Sequence, residues 1–463
     1  MMELTTIERG IISVKSFKLQ IPGRIKAALE KLQQAGYEAY VVGGCVRDTF
    51  LGKEPHDWDI ATSAAPGEIR ELFSGYQQID TGFKHGTAMV VIEKEVVEIT
   101  AFRVDGEYSD GRRPDNVSFT SSLTEDLSRR DFTINACAAT DTTLVDPFGG
   151  RKDAENQVIR CVGEPVRRFT EDALRILRGI RFASVLGFKV EEKTKAAMFE
   201  CMKLLKNVSQ ERISVEFCKT LSGMNVKDIL MEFKDILALI LPEAKEMIGF
   251  RQHNQYHIYD VYEHSLRAVE SIESDTILRL AMFFHDIAKP SCLSLDEKNI
   301  GHFYGHPELS AAMTEKILQR MRFSTADNRA VTELVKYHDI QLGLNAKSVK
   351  KLLSKLGEAQ FRRLLKIKKA DILAQNPLFA DERLKKLELV EGIFEEVITA
   401  NSCLSLHDLA VGGEDLIRLG IPQGKQIGVV LNRLLEMVLN EETENNRDAL
   451  LASLRNILPG TSS

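Results

Sequence analysis

The hydrophobic periodicity of this chain changes character once, near residue 150, and that change limits the fold more than any single motif. Before it, short runs rich in β-branched residues (EAYVVGG, DWDIAT, TAMVVI and EVVEIT) read as strands. A helical pattern over 24–35, stopped by Gly36, and another over 66–73 are set among them. After the turn cluster DPFGG at 146–150, apolar residues fall at helical spacing almost to the end. The expected fold is an α/β head, a small mixed β-sheet with helices, followed by an all-α neck, body, further helical domain and tail. A chain of 463 residues is too long for one core. The expected divisions are an extended lead-in at 1–20, the head at 21–150, a helical neck and body at 151–250, a histidine-rich helical domain at 251–375 and a helical tail at 376–463.

No run of about 18 apolar residues occurs, and MMELTTIERG lacks the layout of an export signal, so the expectation is a cytoplasmic protein with no membrane partner. The cysteines at 45, 137, 161, 201, 218, 292 and 403 form no CxxC, and their total is odd. They read as reduced and mostly buried, not as a disulfide framework. A net charge of −6 argues against a chain coated in positive charge, yet 61 lysines and arginines leave room for a local basic groove.

Chemistry enters at VVGGCVRDTFLGKEPHDWDIAT, residues 41–62. In a strand, residues two apart share a face, so Asp57 and Asp59 set two carboxylates side by side while Trp58 packs on the other face. Paired carboxylates repel unless a cation lies between them, and a hard ion with oxygen ligands, Mg²⁺ above all, suits them. Gly43-Gly44 lets backbone N–H groups approach an anion, and Arg47 adds a fork for phosphate. A DxD alone also describes a solvated turn; with GGxVRD upstream it indicates phosphoryl or nucleotidyl transfer.

GGCVRD (43–48) followed by HDWDIAT (56–62) resembles the signature of the tRNA nucleotidyltransferase/poly(A) polymerase family, and three more blocks resemble that family's in order. EITAFRVDGEYSDGRRPDNVSF (98–119) is similar to its flexible catalytic loop, RRDFTINA (129–136) to its ribose block and EDALRILRGIRF (171–182) to its base-selecting block. The resemblance resumes at LAVGGEDLIRLGIPQGKQIG (409–428). It implies catalytic Asp57 and Asp59 with Mg²⁺, a triphosphate held by Gly44, Arg47 and Arg130, and a ribose 2′-OH donating to Asp131. Asp172, Arg175, Arg178 and Arg181 stand at three-residue steps, one polar face on a helix, which could also be plain solvated surface. The resemblance assigns Asp172 and Arg175 to the Watson–Crick edges of CTP and ATP, with Arg178 and Arg181 meeting phosphate or bracing the site. TGFKHGTAMVV (81–91) and a tail without a basic extension look like the CCA-adding branch rather than poly(A) polymerases. The implied partners are CTP, ATP and the 3′ end of tRNA. Addition of the terminal A alone, beside a separate CC-adding enzyme, stays open. Glu98 is a candidate third acid.

Seven of the ten histidines lie within 251–375: 253, 257, 264, 285, 302, 306 and 338. His285-Asp286 interrupts the apolar helix LRLAMFFHDIAKP, where two ionisable side chains are costly unless something pairs them. Imidazole with carboxylate suits a transition metal. The order H…HD…H…H…D resembles the HD phosphohydrolase superfamily. That implies His264, His285, Asp286 and Asp371 as core metal ligands, with His306 and His338 reaching towards a second metal. A degenerate domain kept as scaffold is the alternative, as is a phosphohydrolase whose head mainly binds RNA. His253, His257 and His302 are expected on loops or surfaces, His257 within reach of substrate.

Overall fold

The computed structural model describes residues 7–8, 11–12, 19–55, 57–79, 86–106 and 116–457. His56, residues 81–85 of the TGFKHG segment and residues 107–115 of the expected catalytic loop lie outside the described residues. The chain divides into two compact units, 1–245 and 246–463. The expected head and neck fall within the first, and the expected histidine-rich domain and tail within the second, the division standing at 245 rather than 250.

The first unit is built on one mixed sheet. Its strands in chain order are β1 (Ile7–Glu8), β2 (Ile11–Ile12), β3 (Ala39–Val42), β4 (Asp59–Thr62), β5 (Gln77–Ile79), β6 (Thr87–Ile92) and β7 (Glu95–Ala101). A separate ribbon of β8 (Arg103–Asp105) and β9 (Val117–Phe119) follows, then β10 (Ala138–Ala139) and β11 (Leu144–Val145) return to the sheet. The order across the sheet is β1-β2-β11-β10-β3-β4-β7-β6-β5. Within the expected lead-in, β1 and β2 extend one edge of the sheet beside β11. Helices α1 (Gly23–Gln34), α2 (Gly44–Phe50) and α3 (Pro66–Leu72) accompany it, and α1 ends where Gly36 adopts φ +92°. Val41, Ile60, Val90, Val97 and Ile99 bury one face with Leu29, Leu32 and Phe73 of the helices and with Trp58. At roughly 25 cal/mol per Å² of apolar area, burying such a face is the main stabilising term of the head.

Helices α4 (Leu123–Ser128), α5 (Gly150–Glu155), α6 (Pro165–Glu171), α7 (Leu174–Leu186), α8 (Glu192–Cys201), α9 (Gln210–Leu221), α10 (Val226–Glu232) and α11 (Lys234–Ile240) complete this unit. The neck is not wholly helical, since β12 (Val158–Ile159) and β13 (Lys189–Val190) pair in parallel. Two-residue strands carry too little pattern to stand out from a helical period.

The second unit comprises α12 (Val261–Glu270), α13 (Thr276–Phe284), α14 (Lys289–Cys292), α15 (His306–Arg320), α16 (Thr325–Tyr337), α17 (Ala346–Leu356), α18 (Glu358–Leu373), α19 (Ala380–Thr399), α20 (Gly413–Arg418), α21 (Lys425–Leu439) and α22 (Arg447–Ile457). A small hairpin, β14 (Ser294–Leu295) with β15 (Gly301–His302), interrupts the helices. The glycine-rich VGGEDLIRLGIPQGK holds the short α20 before the positive-φ residues Gly420 and Gly424. Among the described residues no helix is long and apolar enough to cross a membrane. All seven cysteines are free, and five of them (45, 137, 161, 201 and 403) are buried.

Candidate functional site

Strand β3 ends at Val42, and the chain turns at Gly43 with φ +78°, a left-handed conformation that strains any side chain. A Cβ there would also stand 3.3 Å from Nη1 of Arg130, so the turn sets bare backbone beside a guanidinium. Helix α2 starts at once with Gly44. Antiparallel pairing of β3 with β4 sets Asp59 opposite Val42, next to that turn. Asp57 and Asp59 are exposed while Trp58 and Ile60 are buried, the alternation expected of a half-buried strand.

Glu98 stands opposite Asp59 across the parallel β4–β7 pair. Burial pushes the Asp59 carboxyl up; Arg130 draws it down, and Asp57 pushes it up again. Glu98 is raised too, by burial first and then by Asp59. Arg103 draws Glu98 down in part, but a strip of mutually repelling carboxylates remains a place that favours a further cation.

The RRD segment is held by a residue that sequence reading passed over. Asp126 is fully buried on α4 and accepts from Nη2 and Nε of Arg129 at 2.7 and 2.9 Å and from Arg130 at 3.3 Å. Burial alone would raise its carboxyl, but Arg129 and Arg130 outweigh it and hold it low. Asp131 is 8 % exposed. It accepts from Arg178 Nε at 2.6 Å, from the Phe132 N–H at 2.8 Å and from Asn135 Nδ2 at 3.3 Å. Burial opposes ionisation here, yet Arg178 wins and the carboxyl is pulled down to about 2. Asn135 also accepts from Arg47 Nη1 at 2.8 Å, joining the glycine turn to the ribose block.

Asp172 does not share a helix with the arginines that follow it. It occupies the break between α6 and α7 with φ −145° and ψ 104°, so the expected four-residue helical face is three arginines on α7 with the aspartate set off at its start. Nor is that face plain solvated surface. Arg175 is 8 % exposed, donating to Glu171 at 2.8 Å and to the carbonyls of Arg168 and Arg129 at 3.2 Å. Arg181 lies over the Phe182 ring, 4.1 Å to its centroid, and pairs with buried Glu216 at 3.0 Å. Asp172 pairs with Arg212 of α9 at 2.7 Å.

One cleft of about 530 Å³ gathers these groups: Gly44, Arg47, Asp57, Asp59, Arg130, Asp131, Asp172, Arg175, Arg178 and Arg181, together with Arg129, Asn135, Phe182 and Arg212. The local pattern RISVEF points elsewhere for Arg212, since its four-residue spacing from Glu216 suggests a pair with that glutamate, whereas Arg212 meets Asp172 and Glu216 meets Arg181. Asn135 stood inside RRDFTINA without an assigned role.

In the second unit the six expected ligands meet. His264 lies on α12, His285-Asp286 at the end of α13, His306 at the start of α15, His338 at the end of α16 and Asp371 on α18. Each histidine turns Nδ1 to a carbonyl: His264 to Ala374 at 3.3 Å, His285 to Met282 at 2.6 Å, His306 to Phe303 at 2.8 Å and His338 to Val335 at 2.7 Å. An Nδ1–H donated there leaves the lone pair on Nε2, the tautomer that ligates. The four Nε2 atoms lie 3.1–3.5 Å from Asp286 carboxylate oxygens. Asp371 stands 3.1 Å from His264 Nε2. Both Asp286 oxygens are buried without a hydrogen bond of good geometry. Two ligand sets share Asp286: His264 with His285, and His306 with His338. His257, half-buried, lines the adjoining 550 Å³ cavity with Lys289, Arg383 and Lys386. His302 lines the same cavity from β15.

A mixed sheet presenting paired carboxylates beside a Gly-Gly turn and an arginine-lined cleft defines the first unit as a nucleotidyltransferase. Residues 39–160 match the poly A polymerase head domain, 187–248 a probable RNA and SrmB-binding site of polymerase A, and 300–454 a putative tRNA nucleotidyltransferase domain 2. The chain is 35% identical to a CCA-adding enzyme of Pediococcus pentosaceus over 435 residues, 93% of this chain and 97% of that protein. A CCA-adding enzyme of Ligilactobacillus salivarius is 52% identical over 219 residues, 46% of this chain and 54% of the relative. The crystal structure of the Bacillus stearothermophilus CCA-adding enzyme in complex with CTP superposes with a TM-score of 0.71 at 29% identity, covering 94% of this chain and 96% of that one. The chain belongs to the family of CCA-adding enzymes.

Proposed function

We propose that the first unit adds and repairs the 3′-terminal CCA of tRNA from CTP and ATP, without a nucleic-acid template, as a cytoplasmic enzyme. The single observation that carries the mechanism is the cleft, which brings carboxylates, arginines and the Asp172 break together from segments more than a hundred residues apart. Asp57 and Asp59, repelling each other at that cleft with Arg130 offsetting part of the charge on Asp59, fit a hard divalent ion and would hold Mg²⁺. When bound, the ion polarises the α-phosphate and favours the alkoxide form of the attacking hydroxyl.

The chain's own residues do the rest. The turn at Gly43-Gly44 lets backbone approach the triphosphate, and Arg47 and Arg130 offset its charge. The 3′-oxygen of tRNA forms a bond to the α-phosphorus as the bond to the bridging oxygen breaks, and pyrophosphate leaves with the electron pair. Asp131, kept ionised by Arg178, accepts from the ribose 2′-OH. Asp172 accepts from the exocyclic amine of C or A, and Arg175 donates to ring acceptors. UTP and GTP turn a carbonyl towards that carboxylate and leave it unpaired. The helical segments grip tRNA by shape and phosphate.

Transcripts ending before CCA, after C and after CC, each given CTP, ATP or both, provide the test. Stepwise completion of CCA from every end is expected, and Asp59→Asn should abolish it. Extension from the CC end alone would make this an A-adding enzyme, and no extension at all would overturn nucleotidyl transfer.

A second reading rests on the four converging Nε2 atoms of the second unit. They fit a divalent transition metal, with His264, His285, Asp286 and Asp371 as the core set and His306 and His338 completing a second position. Such a metal supplies an activated water, which suits hydrolysis of phosphate esters in an HD-type domain. Arg383 and Lys386 in the adjoining cavity suit an anionic substrate, whereas Lys289 is buried and paired with Asp286 at 2.6 Å. Release of phosphate from nucleotide or cyclic phosphate esters with Mn²⁺, Ni²⁺, Co²⁺ or Mg²⁺ should disappear in Asp286→Ala while CCA addition persists. Wild type inert with all four metals would end this reading.

A further inference from the structure

We propose that Arg212 is a positioning residue for base selection: by holding one oxygen of Asp172, it fixes the orientation of that carboxylate towards the cleft. The inference rests on the reading of Asp172 as the group that meets the nucleobase.

Asp172 lies where the backbone leaves the helical conformation, so no helix holds its side chain. Two donors fix it instead. The Leu174 N–H reaches Oδ1 at 3.0 Å and Arg212 Nη2 reaches Oδ2 at 2.7 Å. Each carboxylate oxygen has two acceptor positions, so one on each stays available to a ligand in the cleft, which both residues line. Leu174 sets the position of one oxygen; the second contact sets the rotation about the Cβ–carboxyl bond. A fixed orientation is what separates an amine-bearing base from one presenting a carbonyl, because a carboxylate swung off the cleft no longer meets the amine of C or A and no longer repels the carbonyl of U or G.

Arg212 in turn is held by its helix. Four residues on, Glu216 is 5 % exposed and forms an ion pair with Arg181 at 3.0 Å. One turn further, the Thr220 carbonyl accepts from Ser184 Oγ of α7 at 2.8 Å. Helix α9 is therefore pinned to α7 at two points beyond the Arg212–Asp172 contact. Without Arg212, Asp172 would keep the Leu174 N–H on one oxygen and lose its partner on the other.

The experiment measures kcat and KM for single-nucleotide incorporation by the full chain. CTP is compared with UTP on tRNA ending before CCA, and ATP with GTP on tRNA ending in CC. The enzymes are wild type, Arg212→Gln, Arg212→Lys, Asp172→Asn and the Arg212→Gln/Asp172→Asn pair. Arg212→Gln should lower both selectivity ratios about tenfold or more. Arg212→Lys, which keeps the charge but not the planar fork, should recover part of that loss. The double variant should be no less selective than Asp172→Asn alone, since Arg212 acts through Asp172. An equal fall for all four nucleotides, wild-type selectivity in both Arg212 variants, or additive losses in the pair would overturn the proposal. If Asp172→Asn itself keeps full selectivity, the base-reading assignment falls; if it loses selectivity and Arg212→Gln does not, only the role of Arg212 falls.

Discussion

Asp131 shows how much a single side chain of this cleft owes to its neighbours. Burial opposes its ionisation, and Arg178, the Phe132 N–H and Asn135 together overcome that penalty. Its carboxyl titrates at about 2, below the ordinary 3.8. The unfolded chain therefore takes up this proton first as pH falls. The stabilisation is complete above about pH 4 and is lost between about pH 4 and pH 2, on the order of 2 kcal/mol in all. Chemical denaturation from pH 5 down to pH 2.5 should show a shallower loss of stability in Asp131→Asn than in wild type, whatever the offset between them at neutral pH. Identical slopes would mean that Arg178 does not depress this group.

At the scale of elements, α7 carries the site because it can lie close to the segment after RRD. Gly179 permits that approach: a Cβ there would stand 2.9 Å from the Phe132 ring and would also crowd the Met198 methyl. Phe132 is fully buried and packs edge-on against Phe182 at 5.9 Å, so it has little room to yield. Gly179→Ala should cost roughly 1–3 kcal/mol by overpacking, against the stabilisation expected for this change in an open helix. Thermal unfolding checks it: a lowered melting temperature is expected, and a raised one would show that α7 and Phe132 have slack. The strands β3, β4, β6 and β7 and helices α1 and α3 were legible in the sequence because each pairs a local propensity with a periodic apolar face. The strands β12 and β13 were not, because two residues carry no period. The break at Asp172 was hidden for a related reason. EDALRILRGIRF has a continuous helical pattern, and only packing shows that the first turn is lost there.

For the whole molecule, the two units hold two different kinds of site. A metal that binds the folded second unit and not its unfolded chain must stabilise that unit by mass action. Titrating Mn²⁺, Ni²⁺ or Co²⁺ into protein freed of metal should raise a melting transition by several degrees at concentrations well above the dissociation constant. The shift should vanish in Asp286→Ala, and an unchanged transition in wild type would count against the metal reading. This readout does not depend on any hydrolytic activity of the unit.

What the sequence by itself determined is the chemistry on offer: two aspartates one residue apart after a glycine turn, an arginine-rich helix, and six scattered histidines and aspartates with metal-ligand character. These are properties of residue type and short spacing, which local sterics and strand or helix period dictate. The tertiary structure alone decided which of them meet. It brought Glu98 beside Asp59 through strand register, turned four Nε2 atoms on Asp286 through four backbone carbonyls, and set Arg212 on Asp172 across 40 residues. Such contacts depend on how helices and strands distant in the chain pack together, and a periodicity of two or 3.6 residues carries no information about partners that far away.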